Sequence, residues 1–424
     1  MPARLPLTPV AEGATRYLGA TLVDGTGAAA LPAAEVLVRD GVIAYAGPVR
    51  ADADADADAR VVDLDGATLL PGFVDAHVHL AMVPGAPEEQ RAWFPEESVL
   101  AVAEVLRATV HAGVTTARDL DGLTPGYRNA IAAGTAVGPR LHLAIAMLSP
   151  TGGHADPQLP NGSLPAWAVR PGMPEPGLVD TDADVIRTVR ALLRMGADAI
   201  KVATSGGVGS PTDDPGDVGV PERHMRLIAE LLAERGGRPI TAHAHTDAAV
   251  RAAVLGGAAS IEHGYDLGDA TIELMLERGT VLVPTLSTLL RELPASATPE
   301  RRAQRAVLRQ RGLDSVRRAI AAGVPVAVGT DAGVHPHGRN LRELGLLVEA
   351  GLDPLAAIRA GTLGGAELLG LDASIGSVEA GKLADLVVTD AHPLDAIDRL
   401  ADDGAVRMVV QSGRVLVDRD GRVG

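Results

Sequence analysis

The stretch LLPGFVDAHVHL (69–80) decides how the rest of the chain is read. Its core, FVDAHVHL (73–80), has the apolar, β-branched character of a buried strand, yet it carries two histidines. His77 and His79 are two residues apart, and residues i and i+2 of a strand share a face. Two inward imidazoles without partners lose hydration and gain nothing in return. The pair therefore reads as two ligands aimed at one ion.

Working outward, seven more short apolar runs follow: TTARDL (115–120), LHLAIAML (141–148), AIKVAT (199–204), ITAHAH (240–245), SIEHG (260–264), TVLVPTL (280–286) and VPVAVGTD (324–331). Between them lie helical stretches such as SVLAVAEVLRATVHAG (98–113), DADVIRTVRALLRMGA (182–197) and PERHMRLIAELLAERG (221–236). Strand–helix alternation with glycine after the helices implies parallel strands. Eight such strands imply a (β/α)8, TIM-like barrel of the α/β class. From His79 to Asp331 is 331 − 79 = 252 residues, close to the ~250 usual for that fold. An open doubly wound sheet is the competing architecture, but no Gly-rich phosphate loop follows the first strand.

Both ends of the chain read differently. TRYLGATLVDG (15–25), AEVLVRDGVIAYAG (34–47) and RVVDLDGATLLPG (60–72) are short strands broken by Gly and Asp, as are ADLVVTD (384–390), AVRMVVQSG (405–413) and RVLVDRDG (414–421). They predict a small β-sandwich domain built from both termini, residues 1–71 plus 381–424, around a barrel of residues 72–380. ADADADADA (51–59) reads as a solvated hairpin loop.

The 424 residues are 46% hydrophobic but only 2% aromatic, so the core rests on Ala, Val and Leu. A net charge of −16 argues against nucleic acid and anionic membranes as partners. Cysteine is absent, which excludes disulfides and thiolate metal sites and suits a reducing cytoplasm. No signal-type core opens the chain, and no run of eighteen apolar residues predicts a membrane span.

Polar residues interrupt the apolar strands near their C-terminal ends, where barrel active sites lie. Lys201 ends the fourth run, His243 and His245 repeat the i, i+2 spacing on the fifth, His263 is on the sixth and Asp331 closes the eighth. A buried amine at Lys201 must be deprotonated or paired. Imidazole and carboxylate without thiolate suit Zn2+ or a similar divalent ion.

HVH, a lone Lys, HAH, EHG and GTDAG in this order resemble the amidohydrolase superfamily, from about residue 17 to 420. LLPGFVDAHVHL resembles its first-strand entry, and GSVEAGKLADLVVTD (376–390) the return into its small β domain. IKVATSGGVGSP (200–211) and SPTGGHAD (149–156) resemble the Xaa-Pro dipeptidase and imidazolonepropionase-like branch. The resemblance implies a binuclear centre. By it, His77, His79 and Asp331 hold one ion, His243 and His263 hold the second, and an N-carboxylated Lys201 bridges both. True imidazolonepropionases lack that lysine, which argues against their activity here. The branch resembled also implies a small-molecule substrate and a homo-oligomer.

The chemistry expected of such a site is hydrolysis of a C–N bond, most simply the amide of a dipeptide or N-acyl amino acid. Two ions lower the pKa of a bridging water from its bulk value of about 15.7. Asp331 is expected to take the proton and deliver it to the leaving amine, and His245 to steady the oxyanion or bind substrate. Dipeptidases resembling this chain often have Tyr at the His245 position, so this histidine is a departure. His154, in TGGH (151–154), where the glycines allow close backbone approach, is a substrate-contact candidate. Arg118 can bind a substrate carboxylate, or serve a structural pairing. Trp93, Phe94 and Trp167 fall in the long loops 81–98 and 149–180, and are read as lining an apolar leaving-group pocket. The competing functions are a mononuclear deaminase, a cyclic-amide or carbamate hydrolase of the same superfamily, and a non-catalytic scaffold.

Overall fold

The computed structural model describes residues 5–51, 56–86, 89–90, 92–164, 168, 174–208, 213–293 and 297–423. The terminal segments form strands β1 (Ala14–Leu22), β2 (Leu31–Arg39), β3 (Val42–Pro48), β4 (Arg60–Asp63) and β5 (Thr68–Pro71). The parallel strands are β6 (Phe73–Val78), β7 (Val114–Asp119), β8 (Arg140–Leu143), β9 (Met147–Ser149), β10 (Gly177–Leu178), β11 (Ile200–Ala203), β12 (Ile240–Ala244), β13 (Ser260–His263) and β14 (Val281–Val283). The chain ends with β15 (Leu386–Thr389), β16 (Val406–Gln411) and β17 (Arg414–Asp418).

Strands from both ends pair into one eight-stranded sheet, in which β15 joins β5 antiparallel. β1 bends within it. Its first half pairs with β4 and its second half with β5, with a bulge between Leu18 and Ala20 at Gly19, which has φ +76°. A bulge of this kind kinks and twists a strand. Tyr17, Val36, Ile43, Leu64, Leu386 and Met408 form this sheet's own apolar core. Of the repetitive acidic stretch, residues 52–55 lie outside the described residues, and among the rest Asp56 is not solvated. Asp56 is buried and takes hydrogen bonds from Arg39 and Arg50, each at 2.7 Å.

The middle of the chain forms parallel strands in the orders β6-β7-β8 and β10-β9-β11-β12-β13-β14. The expected third strand is therefore divided. Ile145 takes a left-handed conformation, φ 74°, between β8 and β9, so β8 pairs with β7 and β9 with β11. The expected eighth strand, 324–331, is an extended segment held by single bridges instead of a ladder. Pro325 has no N–H to give, and the Val328 N–H is diverted to Ala360 O. The segment still touches both neighbours: Ala327 N–H donates to Leu282 O, and Ala76 N–H to Val328 O. Gly329 permits this approach, because a Cβ there would stand 2.8 Å from His77 Cβ.

The helices have local causes. The helix Asp182–Met195 starts on a capping box between Thr181 and Asp184, stops at left-handed Gly196, and buries Val185, Val189 and Leu192. One large core unites these helices with the parallel strands. The terminal sheet is tied on by polar contacts as well. Buried Arg140 pairs with Asp385 at 2.6 Å and donates to Ser412 Oγ at 3.0 Å. Among the described residues no helix is long and apolar enough to cross a membrane.

Candidate metal centre

His77, His79, Lys201, His243, His263 and Asp331 all line one cavity of about 240 Å³ at the C-terminal ends of the parallel strands. All six are buried. Five of them, joined by His245, form two clusters, His77–His79–Asp331 and His243–His245–His263, each with ligand atoms within 4.8 Å of one another. Asp331 Oδ1 lies 3.3 Å from His79 Nε2 and 3.5 Å from His77 Nε2. In the second cluster the His245 and His263 rings stack at 4.8 Å. The sequence reading set His245 on the substrate side of the cage, and its ring lies 4.6 Å from that of His243 and 4.8 Å from that of His263.

Backbone geometry aims these groups. His263, Thr285 and Asp331 all have positive φ, at 77°, 49° and 60°. Such conformations are disfavoured for residues with a Cβ and persist where the surroundings enforce them. Asp75 supplies part of that enforcement. Its buried carboxylate accepts Thr330 Oγ1 at 2.7 Å, Asn340 Nδ2 at 2.8 Å and the His77 N–H at 3.2 Å. This binds β6 to the turn that carries Asp331.

A further set of groups holds the imidazoles. His77 Nδ1 hydrogen-bonds Glu262 Oε2 at 2.7 Å, which assigns Nδ1 the proton and frees Nε2 for an ion. Glu262 is fully buried and also accepts from Arg118 Nη2 at 2.9 Å, Ser260 Oγ at 2.7 Å and Thr241 Oγ1. His263 Nδ1 lies 2.7 Å from Thr285 Oγ1, which also meets Tyr265 OH at 2.8 Å. The sequence reading did not single out Glu262, Asp75, Thr285 or Tyr265. The only available signal was a carboxylate inside an otherwise apolar strand, as with Asp75 and Glu262.

Electrostatics favour metal-ready forms. Burial lowers the His77 pKa to about 4 and that of His245 to about 3, and takes His243 and His263 well below their ordinary value. Neutral imidazole is the ligating form. Burial alone would raise the Asp331 carboxyl, but His77 and His79 hold it below the usual carboxylate range. Lys201 is 1% exposed, its Nζ has no hydrogen-bond partner among the described residues, and burial lowers its pKa to about 8.

The substrate-side candidates divide. His154 lines the cavity and stacks on His243 at 4.1 Å, with Nδ1 3.4 Å from Asp213 Oδ2. Arg118 does not reach the cavity. It is fully buried, donates to Ala76 O at 2.6 Å and pairs with Glu262. Its guanidinium sits beneath the ligands, so the structural pairing is the role the geometry allows. Phe94 is 71% exposed and Trp93 packs on the main core, and neither lines the cavity. Trp167 lies outside the described residues.

Histidines, an aspartate and a free buried amine around one cavity define a metal-dependent hydrolase. The amidohydrolase family model matches residues 68–416. An ochratoxinase from Aspergillus niger is 33% identical over 363 residues, covering 82% of this chain and 75% of that protein. The crystal structure of a prolidase complexed with N-methylphosphonate-L-proline superposes with a TM-score of 0.84 at 30% identity, covering 95% of this chain and 99% of that one. A Xaa-Pro dipeptidase with bound methionine gives 0.82 at 29% identity, with coverages of 95% and 99%. The chain belongs to the amidohydrolase family. Its chemistry is hydrolysis of carbon–nitrogen bonds.

Proposed function

We propose that the protein hydrolyses the amide bond of a dipeptide or N-acyl amino acid at a binuclear centre. The carrying observation is Lys201. A buried amine with no hydrogen-bond partner among the described residues shares one cavity with two clusters of candidate ligands, and its charge acts on His77, His243, His263 and Asp331. As an N-carboxylated lysine it would offer two anionic oxygens to both clusters. His77, His79 and Asp331 would hold one divalent ion and His243 and His263 the other, with Zn2+ suited to this donor set. Such ions would supply Lewis acidity and acidify water towards neutrality.

The chain's own groups account for the rest. Asp331 is ionised, buried and beside both His77 and His79. It is placed to accept a proton from water and return it to the leaving amine. His245 and His154 flank His243 on the cavity side and would contact the substrate around its carbonyl. Glu262 and Arg118 position His77 and touch no substrate. An ochratoxinase, a prolidase and a Xaa-Pro dipeptidase among the relatives support an amide or peptide substrate.

The same reading extends to the architecture. The links of segment 325–332 to β6 and β14 support closure of the parallel strands into a (β/α)8 barrel, with residues 1–71 and 381–424 as the β-sandwich domain. Metal analysis coupled to a hydrolysis screen over dipeptides and N-acyl amino acids tests the function. Two ions per chain and cleavage of members of that panel are expected. One ion per chain, or no cleavage, overturns the proposal.

A further inference from the structure

Arg291 and Arg305 line the same cavity as the metal-ligand candidates, which Arg118 does not. Arg291 follows the short helix Leu286–Leu289, and Arg305 projects from the helix Pro299–Ala322. Arg305 is only 7% exposed. Arg305 Nη2 donates to Thr288 O and Arg291 Nη1 to Val334 O at 3.2 Å, so each guanidinium spends one donor on a backbone carbonyl. Both Nε atoms are buried and have no hydrogen-bond partner among the described residues. Neither guanidinium forms an ion pair there either.

The neighbouring carboxylates are committed elsewhere. Glu343 accepts the N–H groups of Leu286 and Ser287 at 2.6 and 2.7 Å, and Asp331 faces His77 and His79. Glu292 reaches only Arg309, at 3.5 Å. Arg309 adds a third positive charge next to the pair, since its Nη2 donates to Leu290 O at 3.0 Å. Arg305 is buried and Arg291 half-buried, and a buried cation without counter-charge is expensive to keep. Asp121 and Glu175 also line the cavity, yet no ion pair to Arg291 or Arg305 forms among the described residues, and a carboxylate ligand in the cavity can supply one.

We propose that Arg291 and Arg305 form a carboxylate-binding subsite, so that the substrate is an amide bearing a free carboxylate. This rests on the amide-hydrolase reading and narrows it. A planar guanidinium presents parallel N–H donors that match a carboxylate in two-point fashion. Neutral aryl amides and simple carbamates would leave both groups unmatched. Dipeptides and N-acyl amino acids satisfy them.

The test uses the metal-loaded full chain and matched pairs, each an N-acetyl amino acid and its carboxamide. Charge-assisted hydrogen bonds of this kind are worth roughly 10- to 100-fold in binding. The acid should exceed its amide by about that factor in kcat/KM, mostly through KM. In Arg291→Met, and in Arg305→Lys as the gentler change at the buried position, the preference should fall towards parity. Equal kcat/KM for acid and amide in the natural chain refutes the subsite, as does an unaltered preference in both variants. Product binding separates this from the parent reading. L-phenylalanine should raise the melting temperature and L-phenylalaninamide should not. That result with no hydrolysis of any pair sinks amide hydrolysis and retains the subsite, whereas no discrimination between the two sinks the subsite.

Discussion

Replacing Glu262 with Gln removes one charge and almost no volume from beneath the metal centre. Glu262 takes hydrogen bonds from His77, Arg118, Ser260 and Thr241, and neither it nor Arg118 has measurable exposure. Burial would raise its pKa, but Arg118 and His77 overcome this and keep it ionised. In Glu262→Gln the Arg118 guanidinium stays buried without counter-charge, which costs about 3–5 kcal/mol. The glutamine amide has one acceptor oxygen in place of two, and if Arg118 keeps it the N–H groups face His77 Nδ1–H and the imidazole loses its tautomer lock. Loss of such a partner lowers metal affinity roughly 10- to 100-fold. Chemical denaturation of the chelated protein isolates the first effect, and competitive titration of Zn2+ isolates the second. The double variant Glu262→Gln/Arg118→Met should recover part of the lost stability, because it removes the stranded cation. A metal-free Glu262→Gln protein within about 1 kcal/mol of the natural chain would refute the burial argument, since unpaired charge is worth several times that.

Burial raises the Glu343 pKa from 4.5 to about 7. Folding then favours its protonated form, so its contribution is complete below pH 4.5 and is lost as pH rises through about 7. Glu343→Gln should flatten that part of the stability–pH curve by up to about 3 kcal/mol, and a slope equal to that of the natural chain would contradict it. A Cβ on Gly207 would stand 1.9 Å from the His154 ring, so Gly207→Ala should displace His154 from His243 and raise KM several-fold. Unchanged kinetics on the best substrate of the screen would remove His154 from the substrate site. Lys201→Ala should bind one ion in place of two and lose activity by orders of magnitude, and short carboxylic acids such as acetate should restore part of both. Full metal content without any additive would exclude a bridging role.

The ligand candidates were legible because each breaks an apolar pattern. A histidine, lysine or aspartate in a strand with no solvent-facing side has no cheap explanation, and period two put His77 with His79 on one face. The supporting groups were less legible for the opposite reason. Glu262 alternates with His263 as any outward polar residue would, and only its contacts with Arg118 and His77 reveal it as a clamp. Arg118 showed its strand position but not its direction. Arg305 lay within PERRAQRAVLRQRG (299–312), where an inward arginine looks like the solvated ones around it. The break at Ile145 left no sequence trace, since a β-branched residue with positive φ runs against its own propensity. The loosened eighth strand had one trace, Pro325, that the apolar run concealed.

Charge arithmetic connects the lysine to the rest of the site. Of the five ordinary ligand candidates, four are imidazoles, three of them (His77, His243 and His263) held neutral by burial, and only Asp331 is anionic. His79 is the exception among the histidines. Burial opposes its protonation, but Asp331 pulls its pKa up, and an ion at that position would displace the proton. Glu262 is matched by Arg118 and contributes little net charge. Two divalent cations in such a cavity would therefore face one carboxylate. An amine at Lys201 adds nothing, and an ammonium adds repulsion. A carbamate adds a negative charge in the one place from which both ligand clusters feel the lysine. The lowered Lys201 pKa serves that outcome, because the neutral amine is the form that adds carbon dioxide. On this reasoning the Nζ, without a hydrogen-bond partner among the described residues, would be the half of a ligand that the gene can encode, with carbon dioxide and the ions supplying the remainder.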